Sequence, residues 1–255
     1  MVLYTADGPN ISLQERMFGQ HDEILDCAFV GLGEGHLAIA PNESEIRILN
    51  IQTKACDVLP GHRDTILCLD RNSTGEWLAS GSKDHEARIW SINFSSDDKL
   101  EASCFAILKG HTGSVSAIAM PRRQLGTRPT FVITGSDDRT VKCWDMATGT
   151  TTTPFTPRSM YTQKAHDKDI NSIDISSDDK LFATASQDRT IKIFNVEDGQ
   201  VVGVLKGHRR GVFSAKFSAT ELVLASGSGD STVKLWSLID FTCLKVLVKK
   251  TLIDV

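Results

Sequence analysis

Four aspartates in this chain each stand six residues ahead of an aromatic ring, and that regularity constrains the fold more than any other feature. They are Asp84 before Trp90, Asp138 before Trp144, Asp188 before Phe194 and Asp230 before Trp236. Upstream of each lies a small residue followed by histidine: Gly61-His62, Gly110-His111, Ala165-His166 and Gly207-His208. His62 and Trp90 are 28 positions apart, as are His166 and Phe194, and His208 and Trp236. His111 and Trp144 are 33 apart, and the five extra residues fall between Pro121 and Pro129, which reads as a loop. A weaker copy runs from His21 to Leu49, again 28 positions. Self-similarity of this kind marks like units stacked on one another, none able to bury its apolar surface alone.

Inside each unit the hydrophobic period is two. Val141 and Cys143, Ile191 and Ile193, and Val233 and Leu235 alternate around Lys142, Lys192 and Lys234, the mark of a half-buried strand. A first strand is expected at Ile24–Val30, Ile66–Asp70, Val115–Met120, Ile170–Ile175 and Val212–Phe217. A second is expected at Leu37–Ala40, Trp77–Ser80, Phe131–Thr134, Leu181–Thr184 and Val223–Ser226. The run ending at the aromatic is the third. Lys54–Leu59, Cys104–Leu108, Val201–Leu205 and Cys243–Leu247 read as fourth strands. Four strands recurring every 41 to 55 residues, histidine to histidine, match the period of a propeller blade.

At these residues the chain resembles the WD-repeat family, and the third unit ends in the Trp144-Asp145 dipeptide itself. The expected fold is an all-β WD-repeat β-propeller. The resemblance implies that histidine, hydroxyl, aspartate and aromatic of one blade form a hydrogen-bonded chain. The sets are His62, Ser80, Asp84 and Trp90; His111, Thr134, Asp138 and Trp144; His166, Thr184, Asp188 and Phe194; and His208, Ser226, Asp230 and Trp236. Phe194 has no N–H, so the fourth chain is expected to stop at the Thr184 hydroxyl. In the first unit the matching positions hold Ile39, Glu43 and Leu49, so apolar packing is expected there.

The units divide the chain into a leading strand of a preceding blade (1–18), a degenerate blade (19–60), four further blades (61–109, 110–164, 165–206 and 207–248) and an atypical tail (249–255). Leu13–Phe18 reads as a solitary fourth strand, while Cys243–Leu247 already completes the fifth blade. Five four-stranded blades and one leading strand would leave a seven-bladed ring incomplete. The expectation is therefore a truncated chain with exposed sheet edges and poor solubility.

Some stretches resemble a narrower group within the family, the tandem-propeller proteins of the nucleolar small-subunit processome. They include Ala165–Ser172, Asp179–Thr190, Gly207–Gly211 and Asp240–Lys245. What this implies is a scaffold in pre-ribosomal RNA processing, corresponding to the second propeller only. Its partners would be other WD-repeat proteins, with direct contact to pre-rRNA or small nucleolar RNA left open. No membrane, small-molecule substrate, cofactor or metal is implied. The alternative is a ubiquitin-ligase substrate receptor, or another intracellular scaffold. Members of the receptor class carry Trp-Asp-x-Arg at blade ends, whereas Trp144-Asp145-Met146-Ala147 lacks the arginine.

Composition narrows the function further. Lys and Arg total 28 against 32 Asp and Glu, a net charge of −4, which argues against uniform wrapping of nucleic acid but permits a local patch. Such a patch is legible in the turns, at Arg139, Lys168, Arg189, Arg209 and Arg210, interspersed with Asp64, Asp137, Asp167 and Asp169. It would meet RNA phosphate or an acidic protein segment, unless these are simply solvated turn residues. A serine–histidine–aspartate hydrolase needs one such constellation at a cleft, and here the trio occurs four times at fixed spacing, as a structural device would. No phosphate loop, nucleophile elbow or His-Glu-x-x-His pair is present, so no catalytic residue is expected. Cys27, Cys56, Cys68, Cys104, Cys143 and Cys243 form no Cys-x-x-Cys pair and read as reduced core thiols. Neither a signal peptide nor an apolar run of about 18 residues is present, and a soluble intracellular protein is expected. Trp77 reads as core or inter-blade packing. The inserts Ile92–Ser103 and Ala147–Gln163 read as surface loops, with Ser95–Lys99 and Thr150–Thr153 as solvated linkers.

Overall fold

The computed structural model describes all residues except 1, 8–9, 17–22, 32, 96–98, 124–127, 149–153 and 249–255. The described elements are all strands. The hairpin β1 (Val2–Asp7) and β2 (Asn10–Arg16) comes first. Then follow five antiparallel sheets of four strands, each in sequence order from one edge to the other. The first blade is β3 (Ile24–Val30), β4 (His36–Pro41), β5 (Ile46–Asn50) and β6 (Cys56–Leu59). The second is β7 (Ile66–Arg71), β8 (Trp77–Ser82), β9 (Glu86–Phe94) and β10 (Leu100–Lys109). The third is β11 (Val115–Ala119), β12 (Phe131–Ser136), β13 (Thr140–Asp145) and β14 (Ser159–Lys164). The fourth is β15 (Ile170–Ile175), β16 (Leu181–Ser186), β17 (Thr190–Asn195) and β18 (Val201–Lys206). The fifth is β19 (Val212–Phe217), β20 (Val223–Ser228), β21 (Thr232–Ser237) and β22 (Cys243–Val248). No helix among the described residues is long and apolar enough to cross a membrane.

The first strand of each blade packs on that of the next, β3 on β7, β7 on β11, β11 on β15 and β15 on β19. Each first strand carries a register shift two residues in, at Ile24/Asp26, Ile66/Cys68, Val115/Ala117, Ile170/Ser172 and Val212/Ser214. A bulge at a fixed place re-aims the following side chains in every blade alike, the degenerate first one included. The core lies between blades. One apolar cluster fills each seam, as where Val141, Cys143 and Ile133 of the third blade meet Ile170, Ile173 and Phe182 of the fourth. Because both faces of an inner sheet are covered, its central strands are buried along nearly their whole length, as in Leu181–Ser186.

Four expectations need correction. Leu13–Arg16 belongs to β2 and is paired with Val2–Tyr4 of β1, so it is not a solitary strand. Val2-Leu3-Tyr4-Thr5 is rich in strand formers, but the run is too short to betray itself. Phe18 and His21 lie outside the described residues. The insert Ile92–Ser103 is an arm more than a loop: β9 runs on to Phe94 and β10 begins at Leu100. Ile92, Phe94, Leu100 and Ala102 pack onto the first blade, which rewards extension of the strands.

The insert Ala147–Gln163 contains β14, the third blade's fourth strand, hidden because Ser159–Lys164 has little apolar content. Its Tyr161 hydroxyl donates to the carbonyl of Val196 in the next blade at 2.8 Å. Upstream, Phe155 lies along the outer edge of β10. It donates to the Phe105 carbonyl (3.1 Å) and accepts from the Ile107 amide (2.9 Å). Trp77, Phe105 and Phe155 stand edge to face there, and Trp77 is buried in the second seam. Ser96–Asp98 and Thr150–Thr153 lie outside the described residues. Finally, Cys27, Cys56 and Cys243 are exposed, and only Cys68 and Cys143 are fully buried. Outer strands and the inner first strand of the leading blade have an open face, so an apolar neighbourhood in sequence does not ensure burial.

Candidate functional site

Each blade from the second to the fifth brings its polar set together between the turn before its first strand and the turn joining its second and third. In the second blade His62 Nδ1 lies 2.8 Å from Asp84 Oδ2, and His62 Nε2 2.8 Å from Ser80 Oγ. Trp90 Nε1 donates to the same hydroxyl at 2.9 Å. In the third blade His111 meets Asp138 and Thr134 at 2.8 Å each, and Trp144 donates to Thr134 at 2.8 Å. In the fifth, His208 meets Asp230 at 2.9 Å and Ser226 at 2.8 Å, with Trp236 at 2.8 Å. The indole only donates, which sets the order of hydrogens. The hydroxyl must then give its proton to Nε2, leaving Nδ1–H for the carboxylate. Ser80, Thr134 and Thr184 are fully buried, so these hydroxyls face a sealed interior.

The fourth blade holds a shorter chain. His166 meets Asp188 at 2.8 Å and Thr184 at 2.7 Å, but Phe194 offers no donor and stacks on Phe182 instead, with centroids 4.8 Å apart. Among the described residues the first blade has none of these bonds: Glu43 pairs with Arg47, and Ile46 and Ile48 fill its interior. Burial works against ionisation of Asp84, Asp138, Asp188 and Asp230, but the bonds from histidine, backbone amide and threonine outweigh it. All four carboxyls are held below their usual range, Asp188 at about 2. Burial lowers the pKa of His166 against the pull of Asp188, which favours the neutral imidazole.

The same carboxylates join the two turns of a blade on one face. Asp84, Asp138, Asp188 and Asp230 accept from the amides of Arg63, Thr112, Asp167 and Arg209, the residues that follow each histidine. Arg139 and Arg189 stand one residue past the aspartate in left-handed backbone (φ 71° and 74°), each with its amide on the serine carbonyl three residues back. Arg139, Lys168, Arg189, Arg209 and Arg210 are all exposed, and among the described residues none enters an ion pair. Asp64, Asp137, Asp167 and Asp169 are exposed beside them. No group of three or more His, Cys, Asp or Glu among the described residues could hold a metal ion.

Comparison with known proteins decides the family. The profile of the WD domain, G-beta repeat, matches residues 53–91, 102–145, 157–195 and 199–237. The chain belongs to the WD-repeat family. Each match runs from a fourth strand through the next blade's third, and β3–β5 of the first blade, where the polar set is missing, fall outside all of them. The chain is similar to transducin beta-like protein 3 of Bos taurus, 40% identical over 82% of this chain and 26% of the relative. It is also similar to U3 small nucleolar RNA-associated protein 13 of Saccharomyces cerevisiae, 34% identical over 79% of this chain and 26% of that protein. A more distant relative is mitochondrial division protein 1 of the same yeast, 26% identical over 74% of the chain. The chain thus spans about a quarter of the length of the first two.

This WD-repeat chain holds a second polar assembly that the sequence analysis missed. The first strands surround a cavity of about 820 Å³, and Arg122 reaches across it. Its guanidinium bonds Asp70 of the second blade at 3.1 Å and Asp174 of the fourth at 2.8 Å, and Lys216 of the fifth reaches Asp174 at 3.0 Å. The second oxygens of Asp70 and Asp174 accept the amides of Met120 and Phe217 in the following blades, each at 2.8 Å. Asp179 grips the amides of Arg122 and Arg123. Burial disfavours the Arg122 charge, but the carboxylates of Asp70 and Asp174 outweigh it and raise its pKa. One signal was present: Asp70 and Asp174 each stand eight residues past the histidine, inside the first strand of a blade. A buried charge in such a strand requires a partner.

Proposed function

We propose that the chain is a non-catalytic interaction scaffold of the nucleolar small-subunit processome, acting in pre-rRNA processing and small ribosomal subunit biogenesis. The similarity to the U3 small nucleolar RNA-associated protein, at 34% identity over 79% of the chain, carries this reading. The 40% identity to transducin beta-like protein 3 supports it. A scaffold role also suits the geometry, because the recurrent histidine–hydroxyl pairs are buried inside the sheets. On this reading the partners are other WD-repeat proteins of the particle, and the location is the nucleolus.

The test is to tag the full-length gene product in cells and identify what co-purifies. Small-subunit precursor proteins together with U3 RNA are expected, and depletion should cause uncleaved precursor RNA to accumulate. Co-purification with a ubiquitin-ligase adaptor, with rRNA processing intact, would overturn the proposal.

A further inference from the structure

We propose that the turns of the third, fourth and fifth blades form one continuous track for the phosphate backbone of single-stranded RNA, with Phe213 as a stacking platform at its end. The inference deepens the scaffold reading, and rests on it for the source of the RNA but not for the contact itself.

Continuity of the track follows from a run of contacts. The Arg139 carbonyl accepts the amides of Ala165 and His166, at 2.9 and 3.3 Å, which lays the third blade's turn against the start of the fourth. The next amide, Asp167, bonds Asp188, and the Ser186 hydroxyl bonds the Lys168 carbonyl at 3.2 Å, so Lys168 and Arg189 share one rim. A Cβ built on Gly211 would collide with the Gln187 side chain; the Arg209–Gly211 turn therefore rests directly on the Ser186–Arg189 turn. The five cationic side chains are exposed. Against these five stand three exposed carboxylates in the same turns, Asp137, Asp167 and Asp169. Asp138, Asp188 and Asp230 are directed inward to their histidines. The exposed excess is positive on a chain whose net charge is −4.

Four of the cations, or five with Lys168, would equally attract an acidic peptide. Phe213 favours RNA. Phe213 is 55% exposed and lines the central cavity, and its ring lies 3.0 Å from the Cβ position of Gly229, beside Arg210. In the third and fourth blades the equivalent residues, Ser116 and Asn171, are polar and bond the backbone of the following blade, and in the first two they are Leu25 and Leu67, which lack an aromatic face. An unstacked base has a π-face for such a ring, and stacking beside guanidinium groups is how single strands are held without base-specific readout. A run of carboxylates has no such face.

The experiment measures direct binding of the chain to a labelled single-stranded oligoribonucleotide of about 16 nucleotides across a salt series. Arg189→Glu with Arg209→Glu and Arg210→Glu should weaken binding at least tenfold. In the charge-neutral Arg→Gln version of the triple, which keeps every turn amide, the log–log salt slope should be shallower by about 2, at roughly 0.7 per lost phosphate contact. Phe213→Ala should weaken RNA binding severalfold and leave inorganic polyphosphate binding unchanged. Unaltered RNA affinity in both triple variants overturns the proposal, as does a poly-glutamate probe that binds more tightly than RNA. Because the assay needs no particle, it fails or succeeds independently of co-purification with the processome.

Discussion

The third and fourth blades carry the same fastener built to different lengths, and their packing differs to match. In the third blade Trp144 completes the chain through Thr134 and His111 to Asp138. In the fourth, Phe194 leaves Thr184 without an indole donor and stacks on Phe182 instead. The second strands differ as well. Gly135 faces Ile170 and Ile173 so closely that a Cβ would lie 2.8 Å from each. The equivalent Ala185 has that Cβ, buried in one cluster with the smaller Val212 and Ala215. The volume added on one side of a seam is thus removed from the other. What the pair teaches is that the part from histidine to aspartate is the invariant piece of the device, whereas the ring and the seam are tuned together.

The largest expected effect comes from attacking the shared part. Asp138 accepts from His111, from the Thr112 and Thr140 amides and from the Thr140 hydroxyl. Asp138→Ala and Asp188→Ala should each lower unfolding free energy by about 3 kcal/mol in urea titrations, because several buried donors lose one charged acceptor. A twofold difference between them would show that the indole is integral to the chain. Next, Gly135→Ala should cost about 2 kcal/mol by overpacking. Adding Ile170→Val and Ile173→Ala, which copies the fourth seam, should recover most of the loss; failure to recover would refute the volume exchange. Smaller again, Trp144→Phe should lose about 1 kcal/mol for the missing bond. Phe194→Trp should regain less, since the new indole must preserve contact with Phe182.

The smallest effect is on pH dependence. The folded pKa of His166 lies below its ordinary 6.5, so the unfolded chain takes up the proton first. Stability from this group is complete above pH 6.5 and falls as pH drops through the window beneath it. Asp188, held at about 2 against an ordinary 3.8, adds a loss of the same sign between those values. In His166→Gln the unfolding free energy from urea titrations should fall less between pH 7 and 5 than in the wild type. An equal or steeper fall would rule out the neutral buried imidazole.

Legibility in the sequence followed how local each interaction was. The residues of all four polar sets could be named because their members sit at constant offsets within one blade. Strands with alternating aliphatics, such as Ile170–Ile175, were placed at their observed bounds. Ser159–Lys164 escaped, because a strand at a sheet's outer edge needs backbone pairing more than apolar side chains. The Arg122 assembly escaped because Asp70 and Asp174 are 52 residues away from it on either side, and Arg122 lies in the Pro121–Pro129 insert of a single unit. The five turn cations were picked out by residue type, but their contiguity depended on how the Gly211 turn rests on Gln187.

By itself the sequence determined that the chain folds as repeated four-stranded sheets, since period-two strands and capped turns are short-range features that each unit specifies independently. Only the tertiary structure decided which blades touch, what volume each seam holds, and that one arginine ties the second, fourth and, through Asp174, fifth blades together. Those are properties of surfaces brought together after each sheet has formed, and packing at interior density leaves their match to the neighbour rather than to the strand.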